Sequence, residues 1–138
     1  MSLDTIILID RSKEKKSILM EKLKEKVNFS YIKLEALMQT IKEVSDAQGY
    51  NFERKKYIEF LDKFIKNISK NSEINLIDID NLSVKNANEL IQKYDNVLVI
   101  YLEDLENAQN AVTIDINNKE EVEKLIEEIE KRKKKWKV

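Results

Sequence analysis

Eight residues near the amino terminus, Asp10-Arg11-Ser12-Lys13-Glu14-Lys15-Lys16-Ser17, gather four cations, two carboxylates and two hydroxyls directly after an apolar run, Thr5-Ile6-Ile7-Leu8-Ile9. A lysine followed by a hydroxyl at a helix start is a donor set for phosphate. The helix N-terminus offers amides and a favourable dipole, and the lysine neutralises the anion. The pattern G-x-x-x-x-G-K-[ST] does this with glycines that let backbone N–H groups wrap the anion. Lys16 and Ser17 stand where that pattern places its Lys-Ser pair. Asp10 and Lys15 stand at its two glycine positions, with Glu14 between them. Asp10 brings a negative charge toward the phosphate, and Lys15 brings a Cβ where a positive φ is often required. A second acidic group ends another apolar run, Ile77-Asp78-Ile79-Asp80.

The chain holds no histidine and no cysteine. That excludes thiolate catalysis, disulfides, cysteine metal sites and the commonest general base. Any chemistry rests on carboxylates, lysines, hydroxyls or backbone amides. Simpler roles stand beside the chemical ones. Lys16 and Ser17 also read as the solvated start of a lysine-rich helix. Asp78 or Asp80 also reads as a strand-end acid that caps the next helix with Asn81 or Ser83.

Periodicity defines the elements that position these groups, because proline is absent and Gly49 is the only glycine. Thr5–Ile9 is rich in β-branched residues and predicts a strand covered on both faces. Ser12 predicts a helix cap, with Leu19, Leu23 and Val27 on the inner face that follows. Phe29 to Ile32 reads as a short second strand. From Leu34 to Lys70 two helical stripes are broken near Gly49. Ile74–Ile79, Val97–Leu102 and Ala111–Ile116 read as the third, fourth and fifth strands. A helix from about Val84 lies between the third and fourth, and a last helix carries Val122, Leu125, Ile126, Ile129 and Trp136 on one face.

Strands alternating with helices predict a parallel sheet with helices on both faces, and ligands in such sheets sit beyond the carboxyl ends of the strands. The expectation is one α/β domain over residues 1–138, with a five-stranded parallel sheet whose first strand is central. Hydrophobic residues make up 42% and charged residues 37%, the composition of a folded domain. The net charge of −1 gives no global field toward nucleic acid or anionic membrane. No apolar run reaches the ~20 residues of a membrane helix. No basic-then-apolar leader is present, so a cytoplasmic location is expected. The basic cluster Lys131 to Lys135 follows Glu127, Glu128 and Glu130, and reads as a solvated helix end rather than a nucleic-acid patch.

The stretch from Ile77-Asp78-Ile79-Asp80 through Val84 to Leu102 resembles the middle of a guanylate kinase. Thr113-Ile114-Asp115, followed by a long charged helix, is similar to the close of nucleoside monophosphate kinases and shikimate kinases. The resemblance to the P-loop nucleotide kinases covers nearly the whole chain in architecture. It implies a three-layer sheet of order 2-3-1-4-5 and a substrate-binding helical arm at about residues 34–70. Carried over residue by residue, it gives Lys16 and Asp78 catalytic roles. It places Arg11, Ser12, Lys15, Lys16 and Ser17 around a nucleotide, and Arg54 and Tyr57 at the substrate. Ser17 and Asp80 would be at magnesium, with ATP and magnesium as cofactors only if the loop works.

Two departures argue against catalysis. No glycine lies in the loop, and Glu103 to Asn110 is too short and too acidic for the arginine-bearing lid that phosphoryl transfer uses. The expected function is therefore a degenerate kinase-like domain that binds or regulates, with a nucleotide or a protein as partner. An active phosphotransferase with an atypical loop is the first alternative. A receiver-like or purely structural module is the second, for which Asp10 and Asp78 supply acidic strand ends. Two helices between the second and third strands oppose a receiver. Tyr31, Tyr50, Phe52 and Tyr57 read either as core or as the lining of a groove.

Overall fold

The computed structural model describes residues 3–47, 57–67, 74–103 and 111–133. Its strands are β1 (Thr5–Ile9), β2 (Phe29–Lys33), β3 (Ile74–Ile79), β4 (Val97–Tyr101) and β5 (Val112–Thr113). Its helices are α1 (Lys13–Lys24), α2 (Leu34–Ala47), α3 (Tyr57–Asn67), α4 (Val84–Lys93) and α5 (Lys119–Arg132). The strands form one sheet in the order β2-β3-β1-β4-β5, and every pairing is parallel. This is the expected P-loop-like, three-layer α/β fold with β1 at its centre. The receiver order would place β1 between β2 and β3. Here β1 lies between β3 and β4.

The alternation of side chains along each strand builds two cores. Ile6, Leu8, Leu76, Leu98 and Ile100 face one way and pack with Leu19 and Leu23 of α1 and Val122, Leu125, Ile126 and Ile129 of α5. Ile7, Ile9, Ile77, Ile79 and Val99 face the other way and pack with Leu34 and Met38 of α2, Leu61 and Ile65 of α3, and Ala87 and Leu90 of α4. The described parts of α2 and α3 thus lie on the sheet with α4. Lys93 and Tyr94 reach Asp62 of α3 at 2.8 Å each and tie α3 to α4. Residues 48–56 and 68–73, which hold the expected break at Gly49 and the far end of the arm, lie outside the described residues. No described helix is long and apolar enough to cross a membrane.

Two strand ends differ from the periodicity. β5 is two residues long rather than the expected six, because the Ile114 amide still donates to the Tyr101 carbonyl but the chain then turns at Asp115. There the Asn117 amide donates to Asp115 Oδ1. Ile114 and Ile116 remain buried without being strand, which is why their pattern mimics one. β4 ends at Tyr101, one residue early, with Leu102 buried beside it.

Candidate functional site

The connection from β1 to α1 is three residues long: Asp10, Arg11 and Ser12. Ser12 caps the helix, its Oγ accepting from the Lys15 amide at 3.2 Å. The Ser12 carbonyl accepts from the Lys16 amide, and Asp10 Oδ2 accepts from the Ser12 amide at 2.8 Å. Three amides that a phosphate loop would turn toward an anion are therefore engaged within the turn itself. Helix α1 begins at Lys13, so Glu14 and Lys15 are helical rather than part of a loop. Arg11, Lys15 and Ser17 are exposed. This donor set does not fit a wrapped phosphate. Replacing Ser12 with alanine removes the cap and is expected to cost about 1 kcal/mol. The check is a urea midpoint that falls while the denaturant slope stays constant.

Lys16 is the point where the solvated-helix reading fails. It is 1% exposed, on the same stripe of α1 as Leu19 and Leu23. Its ammonium donates to Asp78 Oδ1, in a buried ion pair, and to Asp80 Oδ1 at 3.0 Å. The alternation in β3 explains the pairing. Ile74 and Leu76 face α1 and α5, and Asp78 and Asp80 continue that row. Tyr31 of β2, opposite Leu76 in the parallel register, donates its hydroxyl to Asp78 Oδ2. Glu35, at the start of α2, accepts from the Asp80 amide at 2.8 Å. The carboxyl edge of the sheet thus holds one ammonium, one phenol and three carboxylates, drawn from four elements.

Neither aspartate caps α4. Ser83 does, accepting from the Asn86 amide at 3.2 Å. Tyr31 is not core either: the residue is 48% exposed while its hydroxyl is tied inward. Among the expected site residues, the structure brings Lys16, Asp78 and Asp80 together and leaves Ser17 outside the cluster. Arg54, Tyr50 and Phe52 lie outside the described residues, as does the side chain of Tyr57, the first residue of α3. Glu35 was not among the expected site residues, and Tyr31 was expected only as core or as the lining of a groove. The signal for the Tyr31 contact is its place opposite Leu76, two residues before Asp78 on the same face of β3, which needs the strand register to be seen.

The electrostatics favour a closed, internally paired cluster. Burial pulls the Lys16 pKa down, but hydrogen bonds to Asp78 and Asp80 and their charges outweigh it, so Lys16 sits above the ordinary lysine value. Burial, the hydrogen bond to Asp78 and the charges of Asp78, Asp80 and Glu35 all hold the Tyr31 phenol well above its ordinary value. At neutral pH the cluster contains an ammonium and a neutral phenol, neither of which is a free base. Both Asp78 oxygens are engaged. Among the described residues, no group of three or more acidic side chains is arranged to hold a metal ion.

A cleft of about 460 Å³ opens at the ends of β4 and β5, and none of the cluster residues lines it. Lys15, Glu103, Thr113, Asp115 and Glu121 line it, so three carboxylates face one ammonium. Glu121 is also the acceptor for the Asp115 amide at 2.9 Å.

Comparison with known proteins supports the fold and goes no further. No protein-family model and no curated protein sequence matches the chain. The crystal structure of APE1195 is similar over 94% of this chain and 96% of that one, with 13% identity and a TM-score of 0.57. An unliganded sugar kinase from Janibacter sp. HTCC2649 is similar over 94% of each chain, with 12% identity and a TM-score of 0.52. A de novo designed PLOOP2X3_50 fold protein, solved by NMR, aligns over 96% of this chain and 94% of that one at 16% identity and a TM-score of 0.48. At such identities the likeness to the first two is one of fold alone.

Proposed function

We propose that this chain is a P-loop-kinase-like domain that does not transfer phosphate and works instead as a binding or regulatory domain. The pairing of Lys16 carries the reading. In the kinase resemblance this lysine would meet a phosphate, and here its ammonium is committed to Asp78 and Asp80 beneath Tyr31. The turn before it supports the same view, since the Asp10 carboxylate sits on the amide of Ser12 where an anion would approach the helix. Two unit charges ~4 Å apart interact by about 4 kcal/mol at a surface-like dielectric, so one misplaced carboxylate offsets one lysine.

The likeness in fold to a sugar kinase favours the competing reading, an active phosphotransferase with an atypical loop. A coupled assay with ATP and magnesium, run across nucleoside monophosphates and hexoses, separates the two. The expected result is no turnover above background. A thermal shift with ATP, GTP or GMP is expected to stay well short of the roughly 2.7 kcal/mol that saturation at a hundredfold excess over Kd produces. Turnover that disappears in Lys16→Ala would overturn the proposal.

A further inference from the structure

We propose that the Tyr31 side chain is a gate over Lys16, latched by its hydroxyl to Asp78, so that solutes reach the buried ammonium only when Tyr31 swings outward. The inference rests on the reading of Lys16 as an internally paired cation and adds how that pairing is opened. It begins with a contrast in exposure. Lys16 and Asp78 are 1% and 4% exposed, yet Tyr31, whose hydroxyl is bound to Asp78, is 48% exposed. The phenol meets the buried ion pair through its hydroxyl on Asp78 and meets water over about half of its surface.

Three further features make the ring a door rather than a wall. Tyr31 lies on β2, which among the described residues is the outermost strand on its side of the sheet, so no further described strand confines the ring. It belongs to neither core cluster, whereas Phe29 of the same strand packs against the core of α1 and α5. Its hydroxyl bond to Asp78 therefore restrains it where apolar packing does not. The other side chain on the ammonium, Asp80, is 47% exposed and is held by the same lysine. Moving Tyr31 thus disturbs no apolar core among the described residues and frees Asp78 Oδ2, leaving Lys16 paired but open to solution.

Amine acetylation reads the gate directly and does not depend on phosphotransfer, so its failure is separate from that of the proposed function. The wild-type chain, Tyr31→Phe and Tyr31→Ala are treated with an N-hydroxysuccinimide ester of acetate. Modification of Lys16 is then measured by peptide mass spectrometry against that of exposed Lys13 on the same helix. In the wild type Lys16 is expected to react at least about tenfold more slowly than Lys13, the factor that an opening free energy of roughly 1.4 kcal/mol represents. Tyr31→Phe removes the latch and is expected to speed Lys16 while leaving Lys13 unchanged. Tyr31→Ala removes the door and is expected to speed it further. Circular dichroism establishes that each variant is folded. If Tyr31→Ala does not fold, Tyr31→Phe decides. Equal reactivity of Lys16 and Lys13 in the wild type, or no acceleration in the folded variants, overturns the gate.

Discussion

Replacing Lys16 with methionine is expected to destabilise the folded chain by about 3–5 kcal/mol, the usual cost of removing one partner from a buried ion pair. Methionine fits the channel left by the lysine stem, so packing changes little. What remains is the Asp78 carboxylate, 4% exposed and without its cation. The bond to Asp80 adds little to the loss, because that side chain is 47% exposed and its charge is screened by water. In a domain of this size the loss corresponds to a fall in Tm on the order of 10 °C. The double variant Lys16→Met/Asp78→Asn separates pairing from shape. Its side-chain oxygen still accepts the Tyr31 hydroxyl, and no buried charge is left alone. It is expected to recover more than half of the loss, measured by urea denaturation. A double variant as unstable as the single one would mean that the lysine stem, and not its charge, holds the edge together.

The same residue shows what periodicity reveals and what it hides. The β1 and β4 runs are apolar apart from Thr5 and the Tyr101 hydroxyl, so their burial on both faces was legible, and with it the parallel three-layer sheet. Counting back three residues from Leu19 on the stripe Leu19-Leu23 reaches Lys16, so its inward position was available in the helix period. It was masked by composition, since Lys13, Lys15 and Lys16 read together as a solvated charge run. Asp78 lies in β3 and Asp80 one residue past its end, and the spacing of two puts both carboxylates on the side where Lys16 meets them. That face is known to be the one toward α1 only once Leu76 is placed in the core with Leu19. The bonds of Tyr31 to Asp78 and of Glu35 to the Asp80 amide were illegible, because they depend on strand register and on the entry of α2, which no local pattern encodes. Ile114 and Ile116 mark the opposite error, in which burial in a turn imitates the alternation of a strand.

Alkaline unfolding is expected to begin near pH 10, and Tyr101 is the residue whose contribution is best defined. It is 2% exposed, and its hydroxyl donates to the Leu82 carbonyl at 2.7 Å, joining the end of β4 to the turn before α4. Burial, with the negative charge of Glu103 adding to it, pushes its pKa up to about 12 from 10.0. A folded pKa above the unfolded one means that the folded state holds the proton more tightly. The contribution is complete below about pH 10 and is lost as the pH rises through 12. Across that window it amounts to about 3 kcal/mol, at 1.36 kcal/mol for each unit. Lys16 and Tyr31 are shifted in the same direction and add to the fall, Tyr31 less than its shift implies because water reaches its ring. Tyr101→Phe removes the titrating group together with the hydrogen bond to a buried carbonyl. It is expected to cost about 1–3 kcal/mol at neutral pH. Its stability then declines less steeply above pH 10 than that of the wild type, so the two curves from urea denaturation converge as the pH approaches 12. Parallel curves would assign the alkaline limb to Lys16 and Tyr31, and would place the pH-sensitive point of the fold at the candidate site itself.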